Sequence, residues 1–488
     1  MRSRTTRPDC RSGLVSAVAI CVLASACAVN PATGKRQFVL ISESQEIAIG
    51  RESDQAITAQ MGLYDDPALQ EYVQRLGERL AAVSERPALN WSFRVVDDPI
   101  VNAFALPGGY LYITRGILAH FNTEAELVAV LGHEIGHVTA RHGVSQMSKS
   151  QLAQLGLGIG SVLADERMQG LTELAAAGVG LMFLKFGRDD ERQADDLGLR
   201  YLLATGYDAQ RMVEVFEMLG RVSAAQGGGR VPGWQSTHPA PENRSARIAA
   251  QIEQRPAGVV KPRVEADSYL ARLDGLVFGE NPRDGYFEEN LFLHPRMQFR
   301  FRFPAGWTTR NQRTSVIGTS PGRNAQIELS VADESDAASA LEAFFSGESL
   351  SRTGSAMGSI HRLPTAGDGF LLTRQDDDNL RGRVGFVAYR GQVFRLLGYS
   401  PQPDWDTFSS TIRAALASFD RVTDRRVLDV QPRRLGIVRL DRATSLADFA
   451  RRHGATVPVD TLALINGLDP GERLVAGRSY KIVTGGPN

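Results

Sequence analysis

Residues 123–143 read TEAELVAVLGHEIGHVTARHG, and this stretch decides the fold. Thr123 and Glu126 stand in capping-box spacing, the run after them is strongly apolar and Gly143 closes it, so a helix is expected over Ala125–His142. Inside it lies His133-Glu-Ile-Gly-His137. At 3.6 residues per turn, imidazoles four positions apart share one face and can grip a single metal ion. Such pairs suit Zn2+, whose catalytic sites use three protein ligands and leave the fourth position to water. Glu134 projects about 100° away from His133, where its carboxylate can take the proton of that water as the nucleophile forms.

Upstream, Ser42–Met61 and Asp66–Val83 have helical apolar spacing, the first opening on a Ser42/Gln45 capping box. Trp91–Asp97 alternates like a strand, and Val101–Leu106, Pro107-Gly108-Gly109 and Tyr110–Thr114 read as a hairpin. Tyr110–Thr114, beside the metal-binding helix, is expected to offer an unpaired edge on which an extended peptide lies antiparallel. Downstream, two weakly charged, glycine-containing stretches between Leu152 and Phe186 are each shorter than the ~20 residues a membrane span needs, and read as a buried helical hairpin. Helices are expected over Asp189–Leu203 and Arg211–Val222.

A third metal ligand is required, and no third His follows at short spacing. Glu191, on the helix after the hairpin, competes for the role with Asp189, Asp190, Asp195 and Asp196. Asp195, one turn beyond Glu191, can accept the second N–H of a ligand His and fix its tautomer.

Asn102-Ala-Phe-Ala-Leu-Pro-Gly-Gly109, His133-Glu-Ile-Gly-His137, Glu191-Arg-Gln-Ala-Asp195-Asp-Leu-Gly-Leu and Gly206-Tyr-Asp208 occur in that order. Together they resemble the CAAX prenyl endopeptidase-like family of zinc metallopeptidases, in its soluble periplasmic bacterial branch of HExxH gluzincin type, over about residues 38–255. The resemblance implies one zinc ion per chain bound by His133, His137 and Glu191, with Glu134 as base and Asp195 supporting the ligands. It also implies endopeptidase action on unfolded or misassembled envelope proteins. The family's integral-membrane members have spanning helices, which this chain lacks, and that argues against prenylated proteins as substrates. Ser236-Thr-His238-Pro239 with Glu242-Asn-Arg244 resembles a further family motif near the metal. His238 is expected to stabilise the oxyanion of the tetrahedral intermediate or to occupy the open zinc position as a reversible plug. His120, His142, His294, His361 and His453 are read as ordinary.

At the N-terminus, Arg2, Arg4, Arg7 and Arg11 precede the apolar run Leu14–Leu23 and the small residues Ala24-Ser25-Ala26, the pattern of a signal peptide over 1–26. Leu-Ala-Ser-Ala-Cys27 resembles a bacterial lipobox, which implies lipidation at Cys27 and a periplasmic protein anchored to the outer membrane. All three Cys lie at or before position 27, so disulfides are excluded as the source of stability.

Length and composition bound the rest. At roughly 150 residues per domain, 488 residues suggest about three domains. Lys plus Arg and Asp plus Glu are 55 each, which leaves no net field to gather nucleic acid. Hydrophobic residues at 43% and charged residues at 23% exclude wholesale disorder. Residues 256–285 read as a linker, and 286–424 alternate strands with helices as an α+β domain without a catalytic constellation. Residues 432–484, with Ile465-Asn-Gly-Leu468 between helix and closing strand, resemble a LysM module, which implies contact with peptidoglycan. The expected architecture is a mainly α zincin-type metallopeptidase domain (38–255) with a small β-sheet, then the α+β domain and a small LysM-like βααβ domain. The rival to a protease is an envelope assembly chaperone or scaffold whose zinc site is structural or plugged by His238.

Overall fold

A computed structural model of the chain describes residues 27–157, 184–225, 233–238, 243–254, 261–347, 349–374 and 379–486. The signal segment expected over 1–26 and most of the hairpin expected between Leu152 and Phe186 lie outside the described residues. The chain divides into two units, 1–279 with 435–484, and 280–434 with 485–488.

The first unit opens with β1 (Cys27–Val29), which pairs antiparallel with β2 (Arg36–Phe38). Helix α1 (Glu43–Met61) starts at the Ser42/Gln45 capping box. Helix α2 (Pro67–Ala81) starts at Asp66, whose side chain accepts from the Leu69 N–H, and it buries Leu69, Val73, Leu76 and Leu80. Strands β3 (Ser92–Val96), β4 (Ala103–Leu106) and β5 (Tyr110–Thr114) form one sheet in the order β3-β5-β4. The hairpin sets Ala103 opposite Ile113 and Leu106 opposite Tyr110, while β3 runs parallel to β5 on its other side. This corrects the expected edge: β5 is the central strand, its backbone is paired on both sides, and the edges of the sheet are β3 and β4.

After the short helix α3 (Arg115–Leu118), helix α4 (Glu124–Thr139) carries the motif and is buried along its whole length. Thr123 caps it, accepting from the Glu126 N–H, and the Glu126 carboxylate accepts from the Thr123 hydroxyl and the Asn122 N–H. The helix stops at Thr139, three residues before the expected end. Arg141 takes φ 58°, its guanidinium donating to the buried Glu46 carboxylate and to the Ile41 carbonyl, and α5 (His142–Leu157) starts at once, so Gly143 lies inside the next helix. Helix α6 (Arg188–Ala204) crosses α4 at close range. Gly132 and Gly136 of α4 face Gly198 and Ala194 of α6, and a Cβ on Gly198 would stand 2.9 Å from the His133 backbone nitrogen. Helices α7 (Gln210–Ala225), α8 (Trp234–Thr237) and α9 (Arg244–Glu253) follow. Residues 261–279, expected as linker, belong to this unit: α10 (Ala266–Arg272) and the turn after it bury Tyr269, Leu270, Leu273 and Leu276.

In the second unit, β6 (Tyr286–Glu288), β7 (Leu291–His294) and β8 (Phe299–Arg302) share a four-stranded sheet with β16 (Asp420–Arg421). Strands β9 (Thr308–Asn311), β10 (Ser315–Thr319), β11 (Gln326–Ala332), β12 (Leu350–Arg352), β13 (Thr365–Leu372), β14 (Leu380–Tyr389) and β15 (Gln392–Pro401) form an antiparallel seven-stranded sheet. Helices α11 (Ala337–Phe344) and α12 (Trp405–Leu416) pack on it, α11 over a core with Phe370 and Phe386 and α12 over one with Phe292, Phe301, Phe394 and Phe419.

The chain then returns to the first unit. Strand β17 (Arg433–Arg439) pairs with the last strand, β20 (Ser479–Gly485), β18 (Thr444–Ser445) pairs with β19 (Arg473–Leu474), and α13 (Leu446–Arg452) and α14 (Val459–Ile465) lie between. Leu446, Phe449, Leu462, Ile465 and Ile482 join the core cluster that holds α4. Among the described residues, no helix is long and apolar enough to cross a membrane.

Candidate metal centre

The four-residue spacing on α4 sets the His133 and His137 Nε2 atoms 3.0 Å apart with the rings edge to face. The glycine crossing lets the first turn of α6 reach them: Glu191 Oε1 lies 3.4 Å from His137 Nε2, and Oε2 lies 3.5 Å from His133 Nε2. His238 follows α8, its N–H donating to the Trp234 carbonyl and its ring stacked on Trp234 at 4.2 Å. Its Nδ1 lies 2.9 Å from Glu191 Oε1 and 3.4 Å from His133 Nε2. His133, His137, Glu191 and His238 thus form one buried cluster with donor atoms within 4.8 Å of one another. Donors about 2.0–2.2 Å from a tetrahedral Zn2+ stand roughly 3.3 Å apart. The observed separations match that spacing, and three imidazoles with one carboxylate suit Zn2+.

The electrostatics agree with metal ligation. Burial, with the Arg244 charge added to it, pulls the His133 pKa down to about 3, which leaves a neutral ring with a free lone pair. Burial alone would raise Glu191, but its contacts with His238 and His137 hold it well below the usual carboxylate range. Glu134 is fully buried, and burial pushes its carboxyl up to about 8. Among the described residues, neither Glu134 oxygen makes a hydrogen bond, nor does Glu191 Oε2, although His238 Nε2 stands 3.5 Å from Glu134 Oε1. Buried carboxylate oxygens without a partner cost several kcal/mol by typical magnitudes (~1–3 kcal/mol each). A cation at the cluster and a water beside Glu134 would satisfy them.

Around this core, Asp195 Oδ1 lies 3.1 Å from His133 Nδ1. Arg244 Nε donates to both Asp195 oxygens at 2.9 Å, and Arg247 donates to Oδ2 at 2.9 Å. Burial raises the Asp195 pKa, but Arg244 and His133 outweigh it and keep the group anionic. Of the acidic residues that competed for the third ligand, Glu191 and Asp195 face the site while the Asp189 side chain is 96% exposed. Cys27 begins β1 and is not a member of the cluster. His142, read as ordinary, is buried against His137 with Nδ1 to Nδ1 at 3.0 Å, and its Nε2 lies 2.8 Å from Gln193 Oε1. His120, His294, His361 and His453 are not members of the cluster.

The model of peptidase family M48 matches residues 67–252. Mitochondrial metalloendopeptidase OMA1 of Arabidopsis thaliana is 34% identical over 207 residues, 41% of this chain and 40% of that protein. The putative beta-barrel assembly-enhancing protease of Vibrio cholerae is 30% identical over 235 residues, 47% of this chain and 48% of that protein. Mitochondrial metalloendopeptidase OMA1 of Schizosaccharomyces pombe is 30% identical over 243 residues, 49% of this chain and 69% of that protein. The chain spans about half or less of the length of the first two of these relatives. All four clustered donors, Glu134 and Asp195 fall inside the matched segment. The chain belongs to peptidase family M48.

Proposed function

We propose that this protein is a zinc-dependent endopeptidase of the bacterial cell envelope that cleaves unfolded or misassembled envelope proteins. The observation that carries it is the convergence of His133, His137 and Glu191 beside a buried Glu134 whose two oxygens lack hydrogen bonds. His133, His137 and Glu191 would hold one zinc ion, which would supply Lewis acidity toward water and the peptide carbonyl. Glu134 accepts the proton of the attacking water and returns it to the departing amine. Asp195 Oδ1, 3.1 Å from His133 Nδ1 and itself held by Arg244, is placed to take the Nδ1–H and so to hold that ring with Nε2 toward the donor cluster. The envelope assignment rests on the name carried by the Vibrio cholerae relative and on the signal and lipobox pattern ending at Cys27. With it go a periplasmic location, a lipid anchor at Cys27 to the outer membrane, and the soluble periplasmic branch that the motifs resemble. The order of elements over 435–484 supports a LysM-like tail in contact with peptidoglycan.

One observation favours the rival, an assembly chaperone or scaffold with a plugged site: His238 supplies a fourth protein donor, which leaves no open position. In the protease, His238 is a reversible plug that leaves this position when a peptide enters. Purified protein separates the two. Zinc content and casein cleavage are to be measured for wild type, Glu134→Gln and His238→Ala. The protease is expected to hold about one zinc per chain in wild type and Glu134→Gln, to lose cleavage at least ~100-fold only in Glu134→Gln, and to gain it in His238→Ala. Zinc without cleavage in any variant would transfer the assignment to the scaffold.

A further inference from the structure

The two ligand imidazoles differ in what stands behind them. His133 has the Asp195–Arg244 pair at its outer nitrogen, with Asp195 Oδ1 at 3.1 Å and Arg244 Nη2 at 3.0 Å, whereas His137 has a second ring: His142 Nδ1 at 3.0 Å from His137 Nδ1. Two facing nitrogens at that separation share one proton, because two N–H groups repel and two lone pairs leave both unsatisfied. The partner on the far side of His142 decides which ring holds it. Gln193 Oε1, 2.8 Å from His142 Nε2, is an acceptor, so the His142 proton sits on Nε2 and its Nδ1 is a lone pair. That lone pair takes the Nδ1–H of His137 and leaves His137 Nε2 unprotonated, facing Glu191 and His133. The reverse polarity would place a proton on His137 Nε2, inside the donor cluster, where it would exclude a cation.

We propose that Gln193 and His142 are positioning residues forming a two-step tautomer relay that keeps His137 in its metal-binding form. The relay rests on the metal-site assignment above and goes beyond it by giving functions to two residues outside the donor set. The backbone is built for it. His142 side chain is 2% exposed, and it reaches His137 because Arg141 turns the chain through φ 58° between the two helices. Gln193 lies between Glu191 and Asp195 on α6, so the helix that brings the carboxylate ligand also brings the far end of the relay. Asp190 Oδ1 stands 3.8 Å from His142 Nε2, too far to replace the amide.

The test is zinc affinity, read by competition with a chromophoric chelator on the full chain, together with thermal unfolding of the zinc-free protein. His142→Leu removes the acceptor, and zinc affinity is expected to fall ~10–100-fold. His142→Asn can present an oxygen near the former Nδ1, and it is expected to stay within a few-fold of wild type. A purely structural role for His142 would give similar zinc affinities in the two variants, or a loss that tracks the zinc-free melting temperature, and either result overturns the relay. Gln193→Leu provides a second arm if His142→Leu does not fold: weakened zinc binding supports the relay, and wild-type affinity overturns it. Zinc held equally by wild type and His142→Leu sinks the relay alone. A wild type that binds no zinc, or a His137→Ala variant that binds it undiminished, sinks the metal site and the relay with it.

Discussion

At the scale of single residues, one buried imidazole outside the metal site sets part of the acid stability. His120 Nδ1 lies 2.8 Å from the Gly116 carbonyl in a buried position. Burial pulls its pKa from 6.5 to about 4 against the Gly116 hydrogen bond, and the Lys481 ammonium adds to the fall. The folded state therefore binds fewer protons at this ring than the unfolded chain does between these values. Its contribution to stability is complete above pH 6.5 and is lost as pH falls through 4, on the order of 3 kcal/mol in all. His120→Asn keeps a donor for Gly116 without a titrating ring. The melting temperature of chelator-treated His120→Asn should fall less steeply than that of wild type between pH 6.5 and 4, and equal slopes would show that the ring is not held neutral. The residues that make chemistry were unevenly legible. His133 and His137 declare themselves by helical period alone. His142 did not, because five positions beyond His137 on an unbroken helix it would point about 140° away. Only the turn at Arg141, held by Glu46 from a distant helix, aims it back.

Elements position the cluster through contacts that a single sequence hardly announces. The crossing of α4 and α6 is close enough for Glu191 to face both histidines because Gly132, Gly136 and Gly198 carry no Cβ. Gly198→Ala would set a methyl 2.9 Å from the His133 nitrogen and 3.1 Å from its Cα, backbone atoms that cannot step aside. The expected cost is about 1–3 kcal/mol of overpacking, with weaker zinc binding as α6 lifts away. Gly220→Ala is the control: it lies inside α7 with nothing within 4 Å, and up to ~1 kcal/mol of stabilisation is expected from helix propensity. Urea titration of both variants checks the pair, and a Gly198→Ala protein as stable and as zinc-competent as wild type would remove the glycines from the explanation. The helices around the site were readable from caps at Ser42 and Thr123 and from apolar spacing over Asp66–Val83. The strand expected as an edge was misassigned because pairing with β3 is parallel and non-local, although its unbroken run Leu111-Tyr112-Ile113, buried on both faces, carries the signature of a central strand.

Over the whole molecule, the second unit is an insertion in the sequence of the first. The chain leaves the peptidase unit after Gly279 and re-enters at Leu435, and the two ends meet: Leu435 N–H donates to the Leu276 carbonyl and Gly275 N–H to the Leu435 carbonyl, both at 2.8 Å. What returns is part of the peptidase core. Lys481, one of five lysines in the chain, is fully buried, and its ammonium donates to the Ala119 and Phe121 carbonyls at 2.9 and 2.8 Å, just ahead of the metal-bearing helix. Burial pulls the Lys481 pKa down to about 7, and the Glu126 carboxylate opposes the fall. A tail that shares a core and a buried cation with α4 cannot be removed as a bead on a string is. Two deletions therefore have opposite expected outcomes. Joining Gly279 to Leu435 through a short Gly/Ser linker, without 280–434, should leave one cooperative unfolding transition and wild-type zinc content, since both chain ends already touch. Ending the chain at Arg434 strips Leu446, Phe449, Leu462 and Ile482 from the core, each worth roughly 1.5–3 kcal/mol of burial, and should yield protein that is insoluble or fails to hold zinc. If the shortened chain ending at Arg434 melts like wild type and keeps its metal, the tail is an appended module, and the peptidase fold ends before residue 280.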